Sequence, residues 1–357
     1  MVVSEAMSFP RTDVFVVGGG PAGLAAAIAA RQRGLDATVS DAATPPHDKA
    51  CGEGIMPDGI AAARALGIDL EGAESHPFRG IRFCGARQSV GATFRSGAGL
   101  GIKRTALHRT LVEHAERAGV RMLWGERVES IHEGGVETSK RAVRTRWVVG
   151  ADGAQSRVRA WARLEDSAAH TRRFGFRAHF AVAPWSEWME VHWSARAQLY
   201  LTPAGAKEMC VVVTSRDARL RLDDAMPLFP QAARRLEGAA ALDAEVGGVT
   251  PSRRLKSVIS GRVALVGDAS GSVDAITGQG ISLAFQQAAA LADAMARGEL
   301  WRYETAHARI MRKPRWMSSL MLALDGRPWM QRCAFGAMSL EPWLFKSLLA
   351  LHAGGRA

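Results

Sequence analysis

Asp13 to Val17 (DVFVV) is a short apolar run that enters Gly18-Gly-Gly-Pro-Ala-Gly23 and then an alanine-rich stretch from Leu24 to Arg33. Gly18, Gly20 and Gly23 stand at GxGxxG spacing, which constrains the fold more than any other feature of the chain. It requires a buried strand, a tight turn and a helix, in that order. The first glycine permits the turn, the second lets the backbone approach a pyrophosphate, and the third lets helix and strand pack closely. Free N–H groups and positive potential at the helix start attract the phosphates. Gly34 stops the helix, and Ala37 to Ser40 forms a second strand ending at Asp41, eighteen residues past Gly23. An acid at that place accepts hydrogen bonds from an adenosine ribose. A purely structural turn would account for the glycines but not for Asp41, so the unit is read as dinucleotide-binding. It does not by itself distinguish FAD from NAD.

Two distant loops bear on that choice. Arg146 to Arg157 (RWVVGADGAQSR) is a strand running into Asp152-Gly153, in isolation an ordinary Asp-Gly turn. Val263 to Gly280 (VALVGDASGSVDAITGQG) repeats the pattern at Gly267 and Asp268. Asp268 then lies at the carboxyl end of a sheet strand, where ligands of open α/β sheets bind. An acidic acceptor there suits a sugar-alcohol chain and would repel a phosphate. Thr277-Gly278-Gln279-Gly280 next opens a long helix (ISLAFQQAAALADAMA). Its two glycines let backbone N–H groups come against a flat ring and stabilise negative charge gained on reduction, as a flavin requires.

These three motifs, in this order and at these separations, resemble the FAD-dependent family that contains the aromatic hydroxylases and the geranylgeranyl reductases. The resemblance covers residues 9 to 300 and implies an α/β fold: a Rossmann-like FAD-binding domain interleaved with an antiparallel β-sheet substrate domain, followed by a C-terminal helical segment. It implies that Gly18, Gly20, Gly23 and Asp41 bind the ADP half of FAD. Lys49, in Lys49-Ala-Cys-Gly-Glu-Gly54, and Arg104, in KRTALHRTL, would contact the linker region. Gly267 would belong to the cofactor-binding loop, Asp268 would take the ribityl chain, and Gly278, Gln279 and Gly280 would line the isoalloxazine. Asp152 and Gly153 fall in a motif that the hydroxylases share for FAD and NAD(P)H. Cys51 and Glu53 would lie near the ring as proton donors or as packing residues, most free cysteines being small buried hydrophobes. His47 and His192 are further polar candidates, although a lone histidine is more often structural.

Residues 9–78, 99–174 and 259–299 are assigned to a discontinuous FAD-binding domain. Residues 79–98 and 175–258 carry short alternating runs such as MEVHW, AQLYL and EMCVVV, and are assigned to the substrate sheet. Residues 300–357 are helical, with Trp316, Met317, Leu320, Met321, Trp329, Met330, Trp343 and Leu344 at helical spacing. Core is the first expectation for such a pattern. A hydrophobic lid or a peripheral membrane contact, assisted by the interleaved Arg and Lys, is the alternative.

The chain has 357 residues, 47% hydrophobic, with a formal net charge of +11. The positive charge is spread over the whole length, outside any nucleic-acid-binding motif, so no nucleic-acid partner is expected. Four cysteines without CxxC spacing argue against a zinc site or a disulfide framework, and no metal is expected. The opening residues lack a basic segment followed by an apolar run, and no eighteen apolar residues occur together. A cytoplasmic protein is expected, peripheral to the membrane at most.

The resemblance leaves the reaction between two chemistries. The first choice is a monooxygenase using NADPH or NADH as transient reductant, hydroxylating an aromatic or lipid-like natural-product intermediate through a C4a-hydroperoxyflavin. The alternative is a geranylgeranyl-reductase-like enzyme that saturates carbon–carbon double bonds and needs a proton donor. A non-catalytic FAD-binding partner protein is a third reading. CGEG and DAITGQGI look closer to the reductase branch. Tyr200-Leu-Thr-Pro203 lacks the Trp and Phe usual in that branch, and Gln279 replaces its usual glutamate. Trp185-Ser-Glu-Trp188 does not have the halogenase spacing.

Overall fold

The computed structural model describes residues 10–165 and 171–354. The opening residues read for a targeting segment, residue 9 of the expected FAD-binding domain, residues 166–170 and residues 355–357 lie outside them.

Two sheets organise the chain. In the first, strands Arg11–Val17, Ala37–Asp41, Arg121–Trp124, Ala142–Gly150 and Val263–Leu265 run parallel. Such a sheet is buried on both faces, and its sequence shows this: Val14, Phe15, Val16, Val148 and Val149 are all fully buried. A hairpin, Val128–His132 and Gly135–Thr138, extends it from the edge of Ala142–Gly150. Helices Pro21–Gln32 and Gly280–Arg297 pack on each other, and their buried alanines, among them Ala25, Ala29, Ala288 and Ala292, belong to the same core.

The second sheet has seven strands, in the order Val246–Ser252, Thr171–Phe180, Glu208–Ser215, Ala197–Gly205, Trp188–Trp193, Gly80–Cys84, Ser89–Thr93. Its period of two sorts side chains to separate cores. Leu199, Leu201, Val211 and Val213 face one, closed by Leu222, Phe229 and Leu236. Tyr200, Cys210 and Val212 face the other. The sheet is antiparallel as expected, except that Trp188–Trp193 pairs parallel with Gly80–Cys84. Gly54–Ile55, Gly99–Ile102 and Ser75–Phe78 make a third, three-stranded sheet between the two layers.

Three C-terminal helices, Trp301–Leu324, Pro328–Leu340 and Pro342–His352, follow. Met317, Met321, Phe335 and Phe345 bury themselves beside Ile81, Val90 and Val191 of the second sheet. The expectation that the methionines and tryptophans of this segment form core holds for Met317 and Met321 but not for Trp316, Trp329 and Trp343. Those three are exposed, because they lie on the opposite side of their helices from the buried residues.

Candidate FAD site

An open cleft of about 830 Å³ is lined by residues of both main sheets and of the loops that close them. Gly18 ends the first strand with φ +108°, a conformation glycine adopts without strain, and its N–H donates to the Ser40 carbonyl at 2.8 Å. Gly23 does not line the cleft. A Cβ there would sit 1.9 Å from the Gly18 carbonyl oxygen, so its role is the close packing of helix on turn. Gly20 faces open space, with no atom within 4 Å of where a Cβ would be. Asp41 ends the second strand and accepts from the N–H groups of Gly19 at 2.7 Å and Ala43 at 2.8 Å. Those bonds fix the carboxylate at the rim.

His108 holds this loop from below. Its Nε2–H donates to the Gly19 carbonyl at 2.8 Å, so Nδ1 carries the lone pair that accepts the His47 N–H at 3.3 Å. Burial pushes its pKa down to about 4, which keeps it neutral and in that tautomer. His47 lines the cleft and stacks on His108 at 4.3 Å. His192 lies elsewhere, buried against Glu190 at 3.1 Å with Cys84 nearby, and does not reach the cleft.

Asp152 spends one oxygen on capping the helix Arg157–Trp161, accepting from the N–H groups of Arg157 and Val158. Its Oδ1 is buried without a partner, and Gly153 follows at φ +80°. Gly267, at φ +60°, is held by Gln287, which accepts its N–H at 2.7 Å. Asp268 stands 3.6 Å from the Lys49 ammonium, both side chains half exposed on the cleft. At Gly278 and Gly280 a Cβ would meet nothing within 4 Å. Between them Gln279 is buried; its Nε2 donates to the His352 carbonyl at 2.7 Å, and its Oε1 has no partner. The Arg104 Nε, also in the cleft wall, is buried and unpartnered. Thus, of the seventeen candidate residues chosen from the sequence, all but Gly23 and His192 line this one cleft.

Cys51 and Glu53 lie in the wall formed by residues 47–54. Burial pushes the Cys51 thiol up, so it is protonated at neutral pH; its Sγ accepts the Glu53 N–H at 3.4 Å. Glu53 adopts φ +57°, strain for a non-glycine residue of about 1–3 kcal/mol. Its side chain, 1% exposed, anchors a network absent from the sequence reading. Oε1 accepts from the Arg104 N–H at 2.9 Å and from Arg177 at 3.2 Å, and Oε2 is 2.7 Å from Nε2 of His179. The other ring nitrogen of His179 is 2.7 Å from Asp243, whose side chain is 35% exposed. Burial pushes His179 down, but the two flanking carboxylates outweigh it and raise its pKa. For Asp243 burial acts upward, but the hydrogen bonds from His179 outweigh it and lower the carboxyl. A continuous line of hydrogen bonds therefore runs from the surface to the cleft.

FAD fits this arrangement. The glycines at 20, 278 and 280 open the backbone where a pyrophosphate and a flat ring would approach. Asp152 Oδ1, Gln279 Oε1 and the Arg104 Nε are buried polar atoms lacking protein partners, and such atoms are costly unless something satisfies them. A cleft of this volume accommodates an extended ligand.

A family profile described as FAD binding domain matches residues 11–300. Menaquinone reductase of Mycobacterium tuberculosis (strain ATCC 25618 / H37Rv) is 38% identical over 136 residues, 37% of this chain and only 32% of that protein. Menaquinone reductase of Mycolicibacterium smegmatis is 28% identical over 338 residues, 85% of this chain and 81% of the relative. The chloroplastic geranylgeranyl diphosphate reductase of Oryza sativa subsp. japonica is 27% identical over 319 residues, 81% of this chain and 67% of the relative. Among solved structures, the flavin-dependent brominase Bmp2 superposes with a TM-score of 0.82 at 17% identity, covering 96% of this chain and 94% of that one. At that identity the likeness is one of fold. With the profile spanning most of the chain and a cleft that suits the cofactor, the protein belongs to the FAD binding domain family.

Proposed function

We propose that the protein is an FAD-dependent reductase that saturates a carbon–carbon double bond of an apolar, lipid-like substrate, with NADPH or NADH as transient reductant. The observation that carries this reading is a pair of residues in the cleft wall, Cys51 and Glu53, with His179 and then Asp243 hydrogen-bonded in line behind Glu53. Saturating a double bond takes a hydride and a proton, and when bound, reduced FAD supplies the hydride. The chain's own residues supply the rest. Cys51 holds a proton on Sγ because burial disfavours its thiolate. His179, whose raised pKa lets it hold a proton, delivers it to Oε2 of Glu53, and the ionised Asp243 orients the other side of its ring near the surface. Arg177 and the Arg104 N–H fix the Glu53 carboxylate in orientation. The wide coverage of the M. smegmatis and rice relatives, both named reductases, supports the same choice over the hydroxylase first expected.

One observation favours the hydroxylase. Tyr200 lies in the cleft wall with its hydroxyl donating to the Ile276 carbonyl at 2.9 Å, without the aromatic companions usual in the reductase branch. The test separates the two. The FAD-loaded protein is photoreduced without oxygen and mixed anaerobically with menaquinone or geranylgeranyl diphosphate. Flavin reoxidation with a product that stays two mass units heavier after exposure to air, the extra hydrogens lying in the isoprenoid chain, supports the reductase. No anaerobic reoxidation by either compound, together with incorporation of labelled oxygen from O₂ into a phenolic substrate, assigns the hydroxylase instead.

A further inference from the structure

Eight large apolar side chains are exposed among the described residues, and six of them belong to the C-terminal helices: Trp301, Trp316, Leu320, Trp329, Leu340 and Trp343. They are not scattered. On Pro328–Leu340, Trp329, Cys333, Ala337 and Leu340 recur at the spacing of a single helical stripe, all exposed, and Trp343 follows at the start of the next helix. On Trp301–Leu324, an exposed stripe runs Arg309, Arg312, Lys313, Trp316, Leu320. The opposite faces of the same helices carry Met317, Met321, Phe335 and Phe345 into the core. Pro328–Leu340 is therefore apolar on two sides, one satisfied by the protein and one facing solvent, and the flanking helices add Trp316, Leu320 and Trp343 beside exposed basic residues.

The charge on the segment indicates what covers that second side. Residues 301–354 hold six arginines and two lysines against Glu304, Asp325 and Glu341. Asp325 is already consumed by Arg173 and Arg216. Among the described residues, no acid pairs with Arg309, Arg312, Lys313, Arg332 or Lys346. Tryptophan, with an apolar body and one N–H, favours the boundary between hydrocarbon and water, and neighbouring Arg and Lys favour anionic headgroups. A second copy of the chain would bring like charges together, which disfavours self-association through this face.

We propose that the outer face of the C-terminal helices docks on an anionic lipid bilayer. The contact is peripheral, since no helix among the described residues is long and apolar enough to cross a membrane. The proposal does not depend on which flavin reaction the cleft performs.

The FAD-loaded protein is co-sedimented with vesicles of phosphatidylglycerol and, separately, of phosphatidylcholine. Binding to phosphatidylglycerol at least about tenfold tighter, weakening as NaCl is raised, is expected. The triple variant Trp329→Ser, Leu340→Ser, Trp343→Ser should lower that binding about tenfold. The variant Arg309→Ser, Arg312→Ser, Lys313→Ser should abolish the lipid preference. Retained yellow FAD absorbance shows that each variant is folded. Wild-type protein that ignores phosphatidylglycerol vesicles overturns the proposal, and so does equal binding by a folded apolar variant. A concentration-dependent dimer lost in that variant, with no vesicle binding by the wild type, assigns the face to a second copy instead.

Discussion

Arg173 joins three parts of the molecule, and its replacement by methionine should be among the most damaging substitutions outside the cleft. The guanidinium is 1% exposed. Its Nε lies 2.8 Å from Asp274 on the loop before Gly278, and its Nη2 lies 2.6 Å from Asp325 at the end of the first C-terminal helix. Nη1 donates to Gln198 of the second sheet at 2.8 Å. Removing one partner of a buried ion pair costs about 3–5 kcal/mol, because the other charge stays buried and uncompensated. Here two carboxylates are left. Asp274 retains bonds from the Ile276 N–H and the Thr171 hydroxyl, and Asp325 retains Gln198 and Arg216. Those residual partners place the loss at the lower end, about 3 kcal/mol. Methionine fills most of the vacated volume, so a cavity adds little. Urea unfolding of the FAD-loaded protein, followed by far-ultraviolet circular dichroism and by release of flavin fluorescence, reads both stability and cofactor retention. Adding Asp274→Asn and Asp325→Asn to the Arg173→Met chain should restore about half of the loss or more, since the cause is unpaired charge. A loss below about 0.5 kcal/mol, or no recovery in the triple variant, refutes the argument.

The Asp243–His179 pair should show in the pH dependence of stability. The raised His179 stabilises fully below the ordinary imidazole value of about 6.5 and loses that contribution as pH rises through its folded value. The lowered Asp243 contributes fully above the ordinary aspartate range and loses its share only as pH falls through its depressed value. His179→Gln should therefore lower the urea midpoint more at pH 6 than at pH 9, and equal effects at both would remove the pair from the account. Burial lowers His108, His307 and His352 to about 4, so the unfolded chain takes up protons first and wild-type stability should decline between about pH 6.5 and 4. Acid titration of the urea midpoint checks this, and a flat profile contradicts it. Gly20→Ala should leave the folded chain intact while weakening FAD retention, whereas Gly23→Ala should destabilise the chain itself by forcing contact with the Gly18 carbonyl. Equilibrium dialysis of FAD and thermal melts of the apoprotein distinguish the two. Cys51→Ala should keep FAD bound and abolish turnover if the thiol is the proton donor; full turnover removes it from the mechanism.

What the sequence made legible is what depends on neighbours in the chain. The strand, turn and helix around Gly18, Gly20 and Gly23, the acid at Asp41 and the glycines at 278 and 280 all write their geometry into residues a few positions apart. The network around Glu53 does not. Its members at 53, 177, 179 and 243 meet only because the loop 47–54 crosses the second sheet where Thr171–Phe180 runs, and no spacing records that crossing. The alternation in RRFGFRAHF does mark Arg173, Arg177 and His179 as sharing one face, but buried charge on a sheet face is recognisable only once its partners are known. His108 was similarly hidden on a helix whose pattern says only that one side is buried. The exposed tryptophans show the converse limit, because helical spacing tells which residues share a side but not which side meets the core.

The parallel pairing of Trp188–Trp193 with Gly80–Cys84 has a consequence for how the protein is made. Residues 80–93 form an edge of the second sheet whose inner neighbour is synthesised only after most of the first sheet has been completed. Closing so long a loop before any pairing is gained is slow, and contacts of such separation lengthen folding. During synthesis the Gly80–Thr93 hairpin waits with an open, partly apolar edge. A nascent chain halted before residue 188 should expose that edge and aggregate or be held by chaperones, whereas one halted after residue 215 can complete the central strands of the sheet.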